Sequence, residues 1–294
     1  MKIASVQGVE IRISLISILV CGLGMWLGIT ETVLAAAALI MHELAHVLTA
    51  GALGLTIQRV ELFPLGGQIM TEELVGVEPT KEIGSALAGP LVSLFLAMLT
   101  YIMKVNLEIS GISFFMQFNL ALGLFNLLPA VPLDGGRVFK SVLSMLVGFK
   151  SAALVACYVS MASALILLGT GTWLVFKDWL AINIILVAVF LVYKAHGEHQ
   201  MLPYDFARYL IRKRRILVEN QPYSGNLIMA RDDLQVRAVL NRSRPRSCMV
   251  VIVYDHRGLI LGFLIEQQLI GAYFEEGYTA TLRTLLDEPP KKTI

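Results

Sequence analysis

The chain has 294 residues, 56% of them hydrophobic and only 16% charged, with a formal net charge of +2 and a mean hydropathy of +0.70. That balance excludes a single water-soluble domain. The charge is also too small for a nucleic-acid binder, which needs a concentrated basic surface to displace counterions. Charged residues are unevenly spread: 20 of the 46 Asp, Glu, Lys and Arg precede Lys194 and 26 lie in the last 101 residues. The pattern predicts a membrane part over residues 1–195, a linker over 196–222 and a small polar domain over 223–294. Cys21, Cys157 and Cys248 show no metal or disulfide spacing and read as small core residues.

A membrane crossing needs about 20 apolar residues, and six candidates follow one another. The first, Ile13 to Leu27, is preceded by Arg12 and lacks a small-residue cleavage pattern, so it reads as a retained anchor, not a signal peptide. The others are Val33 to Leu55, Ile83 to Met103, Ile112 to Leu133, Ala152 to Phe176 and a short one, Trp179 to Tyr193. The expected fold is an all-α membrane domain of six helices with a short β-hairpin, followed by a small α/β domain. With both termini inside, Lys2, Arg12, Arg59, Lys81, Arg137, Lys140 and Lys150 fall on one side and only Lys104 and Lys177 on the other. This asymmetry, reinforced by the Arg212 to Arg215 cluster, predicts a multi-pass protein with both ends in the cytoplasm.

Between Thr32 and Gln58 the only ionisable residues are His42, Glu43 and His46, arranged as HExxH. Titratable groups at lipid depth are costly and mark a site whose partners satisfy them. Positions i and i+4 share a helix face, so both imidazoles can ligate one Zn2+ while Glu43 points beside them towards a water held by the ion. Such a metal acidifies the water and polarises the carbonyl under attack, and Glu43 would act as the catalytic base. The pattern also arises by chance in ordinary helices. The following segment, Ile57 to Ile69, alternates β-favouring residues and carries Gly66-Gly67, which predicts a hairpin at the cytoplasmic rim. Its edge could pair with an unwound peptide, or it could be a plain connection.

Hydrolytic zinc takes three protein ligands and an open position, so two histidines leave one ligand missing. From Ser110 to Leu133 no residue is ionisable; then comes Asn126-Leu-Leu-Pro129-Ala-Val-Pro132-Leu-Asp134-Gly135-Gly136. The prolines break the helix and Asp134 follows at once. Alone, such an Asp-Gly-Gly is more often a turn. The second and fourth spans run in the same direction, however, so Asp134 and the HExxH sit at similar depth, and Asp134 is the natural third ligand of one Zn2+ per chain.

The two motifs together resemble the site-2 family of intramembrane zinc metalloproteases, and six spans followed by about one hundred residues are similar to its sporulation branch. The resemblance implies that His42, His46 and Asp134 are the zinc ligands, Glu43 the base, and Asn126, Pro129 and Pro132 the substrate-positioning part of the second motif. Gly89-Pro90 in the third span also resembles a family element, but Ser93 stands where many relatives have Asn. The branch further implies a protein substrate, the precursor of sigma factor K, two restraining membrane partners, BofA and SpoIVFA, and residence in the outer forespore membrane. A polytopic metal carrier, or an inactive relative that binds substrate, is the alternative.

Beyond the last span, Met201 to Ile216 reads as an amphipathic basic linker suited to anionic lipid, and His196 and His199 as solvated helix residues. From Asn226 the pattern is strand, helix (Asp233 to Arg242), strand (Cys248 to Tyr254), turn (Asp255 to Gly258), strand (Leu259 to Ile265) and helix from Glu266. This resembles a single cystathionine-beta-synthase (CBS) module. Since such modules work in pairs and often bind adenine nucleotides, it implies a homo-oligomer and ATP as a regulator, although no glycine-rich phosphate loop is present.

Overall fold

The computed structural model describes residues 2–6, 9–13, 28–55, 57–63, 66–71, 78–106, 111–178, 181–218, 224–275, 277 and 280–287. They divide into two compact units. The first comprises Met1–Val75, Thr80–Phe139 and Ala156–Glu198; the second comprises Gly76–Pro79, Lys140–Val155 and His199–Ile294.

Helices α1 (Ile29–Ala52), α2 (Pro79–Asn106), α3 (Ile112–Asn126), α4 (Asp134–Val147), α5 (Phe149–Val175) and α6 (Ile182–Val218) carry the apolar sequence. Their burial is inverted relative to a water-soluble bundle. In α1 the buried positions Ala38, His42, His46 and Ala50 recur every four residues, while Val33, Ile40, Leu44 and Leu48 are exposed. In α5 Ala152, Ala156, Ser160 and Ala164 are buried and Val155, Tyr158, Leu165 and Ile166 are exposed. Small residues let helices approach closely, and lipid is the solvent in which large outward aliphatic side chains cost nothing.

Among the described residues, three helices are long and apolar enough to cross a membrane: Ile29–Ala52, Pro79–Lys104 and Phe149–Val175. Of the expected first span, Ile13 to Leu27, residues 14–27 lie outside the described residues, and Ile13 itself closes a β-strand. The expected fourth span stops at Asn126 after 15 residues, roughly 22 Å of helix and short of the ~30 Å hydrocarbon core, because Pro129 and Pro132 cannot continue it. The expected sixth span is the start of α6, which runs unbroken for 37 residues into charged sequence.

The hairpin at 57–69 is present but belongs to a larger sheet. Strands β1 (Lys2–Val6), β2 (Val9–Ile13), β3 (Ile57–Phe63) and β4 (Gly66–Thr71) form a four-stranded sheet in that order. β1 and β2 are antiparallel, β2 and β3 parallel, and β3 and β4 antiparallel. Phe63 pairs with Gly66, so the glycine pair opens β4 instead of forming the connection. The amino-terminal pair was signalled by the alternation Val9-Glu10-Ile11-Arg12-Ile13 after Gln7-Gly8, a hairpin pattern. Among the described residues, with β2 on one side of β3, the open edge of the hairpin is β4, which runs beside α1.

In the second unit, β5 (Ser224–Arg231), β6 (Ser247–Tyr254) and β7 (Ile260–Ile265) form a sheet in chain order. β5 and β6 are parallel, joined through the short α7 (Val236–Leu240), and β6 and β7 are antiparallel. Their turn is held by Asp255, whose Oδ1 accepts the N–H groups of Arg257 and Leu259 at 2.8 and 2.9 Å. Helices α8 (Glu266–Glu275) and α9 (Leu282–Asp287) follow. Met249, Val251, Val253 and Leu264 on one sheet face are buried, together with Leu240, Leu269 and Ile270.

Candidate metal centre

Helical spacing brings His42 and His46 onto the buried face of α1, where each ring is almost inaccessible. Asp134 reaches them from the first position of α4. His42 Nε2 is 3.3 Å from Asp134 Oδ2, His46 Nε2 is 3.0 Å from the same oxygen, and the two Nε2 atoms are 3.2 Å apart. These three atoms form a nearly equilateral triangle. Tetrahedral zinc with bonds of about 2.0–2.2 Å sets its ligand atoms about 3.3–3.6 Å apart, so the triangle is one face of such a tetrahedron within a few tenths of an ångström. The donor set of two imidazoles and a carboxylate suits zinc and leaves a fourth position for a reactant. Among the described residues, His42, His46 and Asp134 are the one group with three such donors converging.

The outer nitrogens show why the triangle faces inward. His46 Nδ1 lies 2.7 Å from the carbonyl oxygen of Ser85. A carbonyl only accepts, so Nδ1 of His46 carries a proton, which in the neutral ring leaves Nε2 with its lone pair. His42 Nδ1 lies 2.8 Å from Ser93 Oγ. The other carboxylate oxygen of Asp134, Oδ1, is 3.5 Å from the guanidinium of Arg137 one turn along α4. Glu43, buried at 5% exposure, follows His42 directly on α1.

The segment between α3 and α4 puts Asp134 in place. Ser160 on α5 is fully buried; its Oγ accepts the Val131 N–H at 2.7 Å and its hydroxyl donates to Ala156 O at 2.6 Å. The Val131–Pro132 peptide is cis. Gly135 and Gly136 lie under this segment so closely that an added Cβ would sit 2.2 Å from Leu127 O and 2.5 Å from the Ala130 carbonyl carbon. These glycines therefore allow a close approach of backbone to backbone, and the Asp-Gly-Gly opens a helix where the isolated motif suggests a turn.

Of the residues expected to position substrate, Asn126 ends α3, is buried, and its Nδ2 donates to Leu122 O at 3.0 Å, one turn back in its own helix. Pro129 is exposed and Pro132 partly so. Sequence reasoning missed Ser85, Arg137 and Ser160. A backbone carbonyl such as that of Ser85 has no residue code; Arg137, three residues after the carboxylate, carried an i,i+3 signal that could have been read.

Residues 105–169 match the family described as Peptidase family M50. Stage IV sporulation protein FB of Bacillus subtilis is 29% identical over 269 residues, 89% of this chain and 90% of that protein. A zinc metalloprotease of Methanocaldococcus jannaschii is 30% identical over 193 residues, 63% of this chain but only 54% of that protein, so the chain spans about half its length. Among solved structures, the site-2 protease from Methanocaldococcus jannaschii superposes with a TM-score of 0.55 at 27% identity, covering 67% of this chain and 94% of that one.

Proposed function

We propose that the chain, whose residues 105–169 match peptidase family M50 and which is similar to a zinc metalloprotease and a site-2 protease of Methanocaldococcus jannaschii, is an intramembrane zinc endopeptidase of that family cutting near the cytoplasmic face. The observation that carries the reading is the convergence of His42 Nε2, His46 Nε2 and Asp134 Oδ2 to within 3.3 Å of one another, with buried Glu43 alongside. These three residues would hold the zinc, which would supply Lewis-acid chemistry, polarising the scissile carbonyl and acidifying a water. Glu43 takes the proton of the attacking water and delivers it to the leaving amine. We keep six crossings, the expected segments 13–27, 112–133 and 179–193 being added to the three long apolar helices, with both termini cytoplasmic.

A helical amide is shielded by its own hydrogen bond, so the substrate must be extended before it is cut. The open β4 edge beside α1 suits main-chain pairing with such a segment. Asn126, Pro129 and Pro132, which precede Asp134 in the second motif, position the extended substrate.

Similarity to stage IV sporulation protein FB over most of both chains supports the finer reading: removal of the pro-segment of sigma factor K, restraint by BofA and SpoIVFA, and residence in the outer forespore membrane. We read residues 196–222 as a linker and 223–294 as a CBS-type module that pairs with a second copy and answers to ATP. The exposed apolar face of its sheet supports the pairing.

The decisive experiment is Glu43→Gln in the purified full-length chain. It is expected to retain one zinc per chain and to lose cleavage of a pro-sigma-K substrate by at least ~100-fold, the usual scale of a general acid–base contribution. Cleavage at the normal rate would overturn the mechanism and leave a metal carrier, which needs ligands but no base.

A further inference from the structure

Three residues of α2, Ser85, Gly89 and Ser93, are spaced by four and share one face. Each meets the histidine pair of α1. The Ser85 carbonyl oxygen is 2.7 Å from His46 Nδ1 and Ser93 Oγ is 2.8 Å from His42 Nδ1. Between them, a Cβ added at Gly89 would lie 2.2 Å from His46 Nε2 and 2.7 Å from His42 Nε2. Glycine thus leaves room where the metal-facing nitrogens sit, and oxygen atoms one turn to either side hold the outward nitrogens.

The two holders are not equivalent. The Ser85 carbonyl dictates which nitrogen of His46 is protonated, because it cannot donate. A hydroxyl can donate or accept, so Ser93 allows either tautomer of His42. With Nε2 protonated, His42 would donate to Asp134 and could not bind a metal. With Nδ1 protonated, Ser93 Oγ accepts and Nε2 offers its lone pair to the ion. Ser93 is completely buried.

We infer that Ser93 is a positioning residue of the metal centre: its hydroxyl oxygen accepts the Nδ1–H of His42 and so fixes both the tautomer and the ring orientation in which Nε2 binds zinc. This inference rests on His42 being a zinc ligand. Removal of such a hydrogen-bond partner weakens metal binding by roughly 10–100-fold. Alanine leaves the Nδ1–H buried without an acceptor whenever Nε2 faces the ion.

The test is zinc affinity of the full-length chain in detergent, by competition with a chromophoric chelator at fixed pH. Ser93→Ala is compared with the pair Ser93→Thr and Ser93→Val, which share a shape and differ in the hydroxyl. The expected result is zinc binding about 10–100-fold weaker in the alanine and valine variants, with the threonine variant close to the parent. Parent-like affinity in Ser93→Ala, or equal losses in the threonine and valine variants, would overturn the inference, since packing alone would then explain the site. If the parent chain itself holds no zinc, it is the metal reading that fails; if it holds one zinc and Ser93→Ala does too with equal affinity, only the role of Ser93 falls.

Discussion

Asp134 combines two roles that a carboxylate can fill only at the start of a helix. As the first residue of α4 it places negative charge against the positive end of the helix dipole, and its two oxygens diverge, Oδ2 to the histidines and Oδ1 to Arg137. Asp134→Asn keeps the shape but removes the charge that a zinc ligand supplies. Zinc content after dialysis against a weak chelator is expected to drop from one per chain to near zero, a loss beyond the ~10–100-fold caused by removing a partner that merely orients a ligand. Unchanged zinc would remove Asp134 from the ion. The same residue shows what the sequence could say. His42, Glu43, His46 and Asp134 stood out because ionisable groups are costly among apolar neighbours, whereas Ser160 looks like any small membrane-helix residue until its partners are seen.

At the scale of elements, the far part of α6 shows where patterning misleads. Arg212-Lys213-Arg214-Arg215 reads as a basic surface, yet Lys213 is 3% exposed. The buried residues Leu202, Phe206, Tyr209, Leu210 and Lys213 trace a helical stripe within the second unit. Lys213 Nζ donates to Glu266 Oε1 at 2.7 Å, to Ser243 Oγ at 2.9 Å and to Arg244 O at 2.7 Å. Glu266 Oε2 accepts the Met249 N–H at 2.8 Å, tying the start of α8 to β6. Burial pushes the Lys213 ammonium below its ordinary pKa and the Glu266 carboxylate opposes that shift. One lysine of a basic run is therefore a core residue, and only its partner, 53 residues away, reveals it. Lys213→Met leaves the Glu266 carboxylate buried without its cation and is expected to destabilise the second unit by about 3–5 kcal/mol. Adding Glu266→Gln should recover a large part of the loss. Protease resistance of residues 199–294 on heating the full-length chain checks both; a silent Lys213→Met would mean the pair does not hold the unit together.

At the scale of the whole molecule, the strand pattern of the second unit was legible because alternation separates its two faces. Val251, Val253 and Leu264 point to a buried side. The opposite face carries Leu227 and Met229 of β5, paired in register with Val250 and Ile252 of β6, and Phe263 and Ile265 of β7. Leu227, Met229 and Phe263 are each more than 60% exposed, and no charged side chain interrupts these six positions. An apolar face spanning three strands is the composition of an interface, not of a solvated sheet. On the proposed reading of this unit as a CBS-type module, the partner such a face would take is a second copy of itself, through an isologous contact. Charges placed at Met229 and Phe263 would then meet their symmetry equivalents across a desolvated surface, where like charges repel strongly. The Met229→Glu/Phe263→Glu chain is expected to sediment in detergent as a monomer while the parent sediments as a dimer or larger, with zinc content equal in both. A monomeric parent, or a variant that keeps the parent's mass, would remove this face as the pairing surface.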